Sequence, residues 1–193
     1  MGAKGEKKKE LILNTARDLF IKYGFKNVTM KDIVEKCEIS RGGLYLYFQS
    51  TSEIFEEILK DEPYFTCRNL RKIAKNDSSI SEILGSYLEE QKREILTLYD
   101  LKYAKYEYYM SGTSKGSENI LRTRFDEEAD ALSDLIKEGI DRGEFVNDDS
   151  MIAAKNILYV CEGLKIASLT SVVSEETVNE QLSYMWGGLL PYK

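Results

Sequence analysis

Apolar side chains return every three or four residues along most of the chain, which is the spacing of amphipathic helices. The first such stretch runs from about Glu6 to Tyr23, and Gly24 follows where a left-handed C-cap is expected. The only prolines are Pro63 and Pro191, so a break is forced near residue 63 and the rest is free to be helical. The pattern therefore predicts an all-α fold.

Two short helices follow the first one closely. Thr29 with Asp32 three residues later forms a capping box and begins a helix that runs to about Lys36. Ser40 is the next N-cap and begins a helix that runs to Phe48. Two short helices joined by a tight turn and braced by a longer helix form a helix-turn-helix, whose second short helix is the recognition helix.

The predicted outer face of the recognition helix is unusual for an ordinary surface helix, because it carries two glycines and two tyrosines. Glycine allows a phosphate chain to approach, although each one costs about 1 kcal/mol of helix stability relative to alanine. A tyrosine hydroxyl suits phosphate oxygens, and its ring suits a thymine methyl. The alternative is a bundle corner with half-buried tyrosines. We expect Arg41 and Lys31 to read bases, with Lys26, Thr29, Ser40, Gly42, Gly43, Tyr45 and Tyr47 completing the DNA-binding set.

About 45 residues, ILNTARDLFIKYGFKNVTMKDIVEKCEISRGGLYLYFQSTSEIF, follow a known pattern. The shared positions are Ala16, Leu19-Phe20, Gly24-Phe25, Thr29, Ile33, Ser40, Gly42, Leu44-Tyr45, Tyr47-Phe48 and Ser50. This stretch resembles the N-terminal domain of tetracycline-repressor-type (TetR/AcrR) transcriptional regulators. The resemblance implies DNA binding by this domain and an effector cavity inside the helical body that follows.

Three positions depart from that family pattern. Glu38 stands in the turn where glycine is usual, which predicts a strained or less tight backbone. Thr51 stands where the family usually carries a lysine that contacts a phosphate. Cys37 replaces a small residue, normally alanine, and is interpreted as a buried core residue, with a thiol sensor as the alternative.

Composition excludes several classes of function. The chain has no histidine, which removes Ser-His-Asp hydrolysis, Cys-His nucleophiles and histidine-containing metal sites. Its three cysteines are scattered without metal-ligand spacing, as in a reduced cytoplasmic protein, and no metal or cofactor is expected. No apolar run approaches the ~18 residues that a membrane span needs, and no secretory signal is recognised. We therefore expect a cytoplasmic protein without membrane contact.

Charge is unevenly distributed along the chain. Residues 1–50 hold 10 Lys and Arg against 6 Asp and Glu, and the remainder holds 17 against 27. A basic N-terminal part followed by an acidic remainder indicates that the N-terminal part binds a polyanion. A helical nucleic-acid-coating or architectural protein stays as the alternative, although it would need a basic body. A helical enzyme is disfavoured, since no nucleophile–base pair, paired-carboxylate motif or cofactor loop is recognisable.

The segment 98–110 carries five of the 13 tyrosines. Four residues form one stripe at helical spacing: Tyr99, Tyr103, Tyr106 and Met110. A buried tyrosine hydroxyl needs a partner, so a ligand-binding wall is one hypothesis and an aromatic core stripe is the other.

The helix predicted at 151–169 is apolar on most faces, so it is expected to be buried on most faces. A body this small rarely encloses one of its last helices, and a second subunit would supply the missing wall. The predicted dimer interface comprises Ile157, Cys161, Leu164 and Ala167, with Phe125, Leu132 and Ile136 from the preceding helix.

These observations predict a helix-turn-helix domain at 1–50, a linking fourth helix at 51–62, and a helical ligand-binding and dimerisation domain at 63–193. The predicted function is a homodimeric, sequence-specific transcriptional regulator. We expect it to act as a repressor that binds a near-palindromic operator and is released by a small-molecule effector.

Overall fold

The computed structural model describes residues 3–61, 72, 78–97, 100–111, 120–146, 149–170 and 173–190. Their regular structure is helical and includes no strand, so the all-α prediction is confirmed. No helix in these ranges is long and apolar enough to cross a membrane. The helices are α1 (Ala3–Tyr23), α2 (Met30–Lys36), α3 (Arg41–Tyr45), α4 (Thr51–Asp61), α5 (Ile80–Leu96), α6 (Lys102–Met110), α7 (Ile120–Asp141), α8 (Ser150–Ser168) and α9 (Glu175–Gly187).

The chain divides into two compact units that alternate along the sequence. The first unit comprises residues 1–63 with 98–117, and the second comprises 64–97 with 118–193. Helix α6 therefore packs with the N-terminal helices. The sequence-based division, which assigned everything after residue 62 to one domain, differs from the structure at this segment. Apolar periodicity identifies an amphipathic helix but does not say which element covers it.

Aromatic rings form the centre of the first unit. The ring centroids of Phe20 and Phe55 lie 4.9 Å apart, and those of Phe25 and Tyr108 also lie 4.9 Å apart, both pairs edge to face. Tyr108 lies on α6, and its neighbours Leu101 and Ala104 are buried in the same core. Edge-to-face pairs add to the stabilisation that burial of the rings provides. Leu101 and helix α6 thus contribute to the hydrophobic core of this unit.

The second unit packs α5, α7, α8 and α9 around a larger apolar core. Gly139 on α7 is buried against the ring of Phe145, which occupies the place where a β-carbon would lie. The carboxylate of Glu144 accepts hydrogen bonds from the backbone N–H groups of Ile80 and Ser81, at 3.1 and 2.8 Å. Glu144 therefore caps the N-terminus of α5 together with the Ser79–Glu82 capping box.

Charged side chains also lie inside the second unit. The buried ammonium of Lys165 is 3.0 Å from a carboxylate oxygen of Glu94 and 3.1 Å from one of Glu162. Desolvation opposes ionisation of Lys165, but these two carboxylates outweigh it and raise its pKa. Tyr87 donates a hydrogen bond of 2.7 Å to Glu128, whose pKa is raised because burial penalises the carboxylate. Burial also raises the pKa of Cys161 to about 12, so this thiol is unreactive.

Candidate nucleic-acid interface

The structure contains the predicted capping box at the start of α2. The Thr29 side-chain oxygen accepts a hydrogen bond from the backbone N–H of Asp32 at 3.3 Å. The Asp32 carboxylate accepts one from the Thr29 backbone N–H at 2.8 Å and one from its hydroxyl at 2.6 Å. The hydrogen bonds from Thr29 lower the pKa of Asp32. Both Thr29 donors are therefore engaged in the cap, although the residue is exposed.

The turn between α2 and α3 has a strained backbone, as the sequence predicts. Glu38 has φ 54°, and it is the one non-glycine residue with positive φ among those the structure describes. A left-handed conformation costs an L-residue roughly 1–2 kcal/mol. Cys37, just before it, is buried in the core of the first unit, which agrees with a packing role for this thiol. The left-handed conformation of Glu38 therefore lowers the stability of the fold, although this turn orients α3.

Helix α3 is short and fixed at both ends. The Ser40 hydroxyl oxygen accepts a hydrogen bond from the Gly43 backbone N–H at 3.1 Å. Leu44 and Phe48 anchor the segment in the core, as predicted. The α-helix ends at Tyr45, so the predicted extension to Phe48 is wrong by about one turn.

The exposed residues of this segment differ from the prediction at one position. Arg41, Gly42 and Tyr45 are exposed, and Tyr47 is partly buried. Gly43 is buried, because the side chains of Ser40 and Lys8 cover it. Arg41 thus projects from the first turn of an otherwise small-residue helix start, where an arginine can reach base edges.

Two predicted lysines lie nearby with different surroundings. Lys31 is exposed and its ammonium is 3.6 Å from the Glu35 carboxylate one turn along α2. Such an exposed pair is worth only about 0.3–0.5 kcal/mol, so Lys31 can exchange this partner for DNA. Lys26 is exposed, and its backbone N–H donates to Glu107 at 3.1 Å.

The contribution of α6 to this surface was missed by sequence reasoning. Gly24 has φ 78° and ends α1 as predicted. A β-carbon at Gly24 would lie 2.8 Å from the ring of Tyr103 and against the carboxylate of Glu107. Tyr108 donates a hydrogen bond to Glu56 on α4. Helix α6 therefore holds both the turn before α2 and helix α4, and no local sequence signal indicates such a distant contact.

Three of the four predicted ligand-wall residues lie on α6, and two of these three are exposed. Tyr103 is 50% exposed and Met110 is 73% exposed, while Tyr106 is partly buried. Tyr99 lies outside the described residues. A hydrogen bond to Glu107 raises the pKa of the Tyr103 phenol. The core position on this helix belongs to Tyr108, which was not in the predicted set.

The residues predicted for the dimer interface are mostly committed to the core of the second unit. The five with under 10% exposure are Leu132, Ile136, Ile157, Cys161 and Leu164, while Phe125 and Ala167 are partly buried. These five side chains are covered by their own unit and offer little surface to a second copy, and the interface itself stays a prediction. The exposed apolar residues of α8 are Ile152, Tyr159 and Ile166.

These features together define a helix-turn-helix protein of the DNA-binding class. Residues 12–58 match the family model described as bacterial regulatory proteins of the tetR family. Residues 83–179 match the model described as the tetracyclin repressor-like C-terminal domain. The second match shows that the similarity to this family extends into the C-terminal part of the chain, beyond the 45-residue N-terminal stretch on which the resemblance was based.

Individual relatives agree with these matches. The chain is 36% identical to the uncharacterized HTH-type transcriptional regulator YfiR of Bacillus subtilis over 142 residues, 72% of this chain and 69% of that protein. It is 26% identical to the HTH-type transcriptional regulator QacR of Staphylococcus aureus over 187 residues, 92% of each chain. The fold is similar to that of NalD, described as the secondary repressor of the MexAB-OprM multidrug efflux pump in Pseudomonas aeruginosa. That likeness has a TM-score of 0.75 and 18% identity, and covers 98% of this chain and 100% of NalD.

The chain belongs to the TetR family of bacterial transcriptional regulators. Members of this family are DNA-binding regulators and not enzymes, and they are typically repressors.

Proposed function

We propose that this protein is a homodimeric repressor that binds a near-palindromic operator in the cytoplasm and is released by a small-molecule effector. The observation that carries the proposal is the exposed start of α3, where Arg41, Gly42 and Tyr45 project from a helix capped by Ser40. A two-fold dimer would present two such helices to successive major grooves, about 34–36 Å apart. DNA coating without sequence preference is less well supported, because the chain beyond residue 50 has 10 more acidic than basic residues.

The first test is binding to the DNA that flanks the protein's own coding region. A footprint should cover two half-sites one helical turn apart, and a scrambled duplex of equal length and composition serves as the control. We expect the natural site to bind at least about 1000-fold more tightly at near-physiological salt. Equal binding to both duplexes would favour the coating function, and no binding to either would reject both functions.

The exposed face of α8 supports the homodimer. Ile152, Tyr159 and Ile166 are 66, 64 and 44% exposed, and they recur at helical spacing with Gly163 between them. A β-carbon at Gly163 would meet nothing within 4 Å, which leaves room for another helix. The Tyr159 ring also lies 5.0 Å from the ring of Phe125 on α7, so the two helices present one continuous apolar surface. Such a face is suited to burial against its two-fold copy.

Tyr159→Asp tests this face without disturbing the core. We expect a dimer-to-monomer shift in sedimentation at micromolar concentration, because the new carboxylate would be desolvated at the interface. Tyr23→Asp is the matched control, since Tyr23 is also about half exposed but lies at the end of α1. A Tyr159→Asp protein that stays dimeric would place the interface elsewhere.

The position of α6 supports release by an effector. This helix carries three of the predicted ligand residues and also holds the Gly24 turn and α4 through Glu107 and Tyr108. A ligand that prefers a different position of α6 would weaken DNA binding by its differential affinity for the two states.

Release is tested by screening small aromatic compounds for displacement of operator DNA. We expect Tyr103→Ala to reduce displacement by an active compound and to leave DNA affinity without compound unchanged. Tyr103→Phe retains the ring and separates the contribution of the hydroxyl. A Tyr103→Ala protein with unchanged displacement would remove Tyr103 from the ligand site.

A further inference from the structure

The side chain of Lys8, near the start of α1, lies beside the recognition helix α3. Ile12 and Ala16, one and two turns further along α1, are completely buried in the first unit. Lys8 continues the same face of α1, so its side chain emerges beside the start of α3. A β-carbon at Gly43 would lie 3.1 Å from the Lys8 ammonium and 3.0 Å from the Ser40 hydroxyl oxygen. The Lys8 ammonium and the Ser40 hydroxyl therefore both lie next to the position that a β-carbon of residue 43 would occupy.

Lys8 has no ion-pair partner in the part of the chain that the structure describes. No carboxylate of the described residues lies within 4.0 Å of its ammonium. Lys9 differs, since it forms an ion pair with Glu57 and lies 5.9 Å from the centre of the Phe48 ring. The Ser40 oxygen accepts from Gly43, and its hydroxyl hydrogen has no acceptor among the described residues. Lys8 and Ser40 thus offer two unused donors side by side.

We infer that Lys8 is a DNA-contacting residue that binds, together with Ser40, one backbone phosphate at the edge of the recognition helix. The inference rests on the proposed function, because it concerns the same DNA. An ammonium is a compact point charge with three donors and suits a phosphate oxygen. Glycine at position 43 leaves room for the ammonium, since the β-carbon of any other residue there would lie 3.1 Å from it. A phosphate contact fixes the register of the protein on DNA and carries no sequence information.

The test compares Lys8→Gln with Lys7→Gln in the full-length protein. Lys7 is exposed, adjacent in the same basic run and outside this contact, so it controls for net charge. We expect Lys8→Gln to weaken binding roughly five- to tenfold at low salt and to reduce the slope of log K against log salt by about 1. The preference for operator over scrambled DNA should stay unchanged. Lys7→Gln should change affinity less than twofold, and Lys8→Arg should retain most of the affinity.

Equal losses in the two glutamine variants, or an unchanged salt slope in Lys8→Gln, would overturn the inference. Melting temperatures of both variants check the fold, and glutamine keeps most of the aliphatic stem of the lysine. If the wild-type protein binds DNA without preferring the operator, the proposed function fails. The slope measured on scrambled DNA still decides the role of Lys8 in that case, because phosphate contacts also form on non-specific sites. If the wild-type protein binds no DNA, both fail.

Discussion

The two units of the chain place their charged side chains differently. In the first unit the centre is aromatic, Arg41 is exposed, and Lys8 has no carboxylate partner among the described residues. In the second unit Lys165 is buried and paired with two carboxylates, and the partly buried Glu128 accepts a hydrogen bond from Tyr87. Surface charges without partners interact with external ions, whereas buried charges depend on their neighbours. We therefore expect Arg41 and Lys8 to respond to salt and DNA, and the contributions of Lys165 and Glu128 to stability to respond to substitution and pH.

The largest effect is expected in the aromatic core of the first unit. Tyr108 is 1% exposed and packs on Phe25 and Phe55. We expect Tyr108→Ala to lower the free energy of unfolding by about 3–5 kcal/mol, because a large cavity forms and Glu56 loses its partner. Hydrogen exchange of the α1–α4 amides localises the loss. Tyr103→Ala, half exposed on the same helix, should cost less than about 1 kcal/mol, and an equal loss in both variants would contradict the assigned core position.

The buried ion pairs of the second unit give the next effect. Lys165→Ala removes the ammonium that pairs with both Glu94 and Glu162, and both carboxylates are partly exposed. We expect a loss of about 2–4 kcal/mol, less than for a fully buried pair. Trp186, the only tryptophan of the chain, lies in this unit and reports its unfolding by fluorescence.

The exposed pair Arg122–Asp126 of the same unit is the control. Arg122→Ala should change the free energy of unfolding by less than about 0.5 kcal/mol. A similar loss in Lys165→Ala and Arg122→Ala would remove the distinction between buried and exposed charge on which the contrast depends.

Two carboxylates of the second unit should respond to pH with opposite sign. Burial raises the pKa of Glu144, but hydrogen bonds from Ser81 and Ile80 outweigh it, so the net pKa lies below its usual 4.5. Its stabilisation is present above that value and is lost as pH falls through the folded-state pKa. Glu144→Gln should cost about 0.5–2 kcal/mol at pH 7, the usual worth of a helix cap, and progressively less as pH falls through the folded-state pKa.

Glu128 is the counterpart with a raised pKa, caused first by desolvation. Its folded state prefers the protonated acid, so this group favours folding at low pH and loses that advantage as pH rises. Glu128→Gln keeps an acceptor for Tyr87 and should not destabilise the protein at pH 7. Urea unfolding of both glutamine variants between pH 3 and 8 measures the two trends, and trends of the same sign would refute this assignment.

The smallest effect concerns the turn before α3. Glu38→Gly removes the left-handed strain of roughly 1–2 kcal/mol and adds a backbone entropy cost of about 0.5–1 kcal/mol. We expect a net gain of up to about 1.5 kcal/mol in stability with DNA affinity unchanged. Glu38→Ala is the control because alanine keeps the strain. If both variants gained equally, the strain would not explain the effect.

The helix-turn-helix could be predicted because its signals are local. Thr29 with Asp32 and Ser40 with Gly43 make their hydrogen bonds within three residues, and Gly24 ends α1 with a positive φ. Strain at Glu38 was one of two expectations drawn from the family pattern, which usually has glycine at this position; the positive φ agrees with it. Short-range chemistry of this kind can be read from residue order alone.

The rest could not be predicted because it depends on distant packing. Leu164 and Cys161 are as apolar as an interface residue must be, but α5 and α7 of their own unit cover them. The tyrosine segment predicts an amphipathic helix, yet the choice of Tyr108 for the core depends on α1 and α4, over 45 residues away. Lys8 belongs to a run of lysines that gives no local signal of its neighbours, and only the fold brings it to Gly43.

The most direct test of the central claim, that α3 reads DNA sequence, is Arg41→Ala. Arg41 is exposed at the first position of α3, so its removal should leave the melting temperature unchanged. We expect the protein to lose about 1–3 kcal/mol of operator binding and to relax its preference at one base pair of each half-site, with scrambled DNA bound nearly as before. Binding titrations against a set of singly substituted operators measure this. Unchanged affinity and unchanged base preference would contradict the claim.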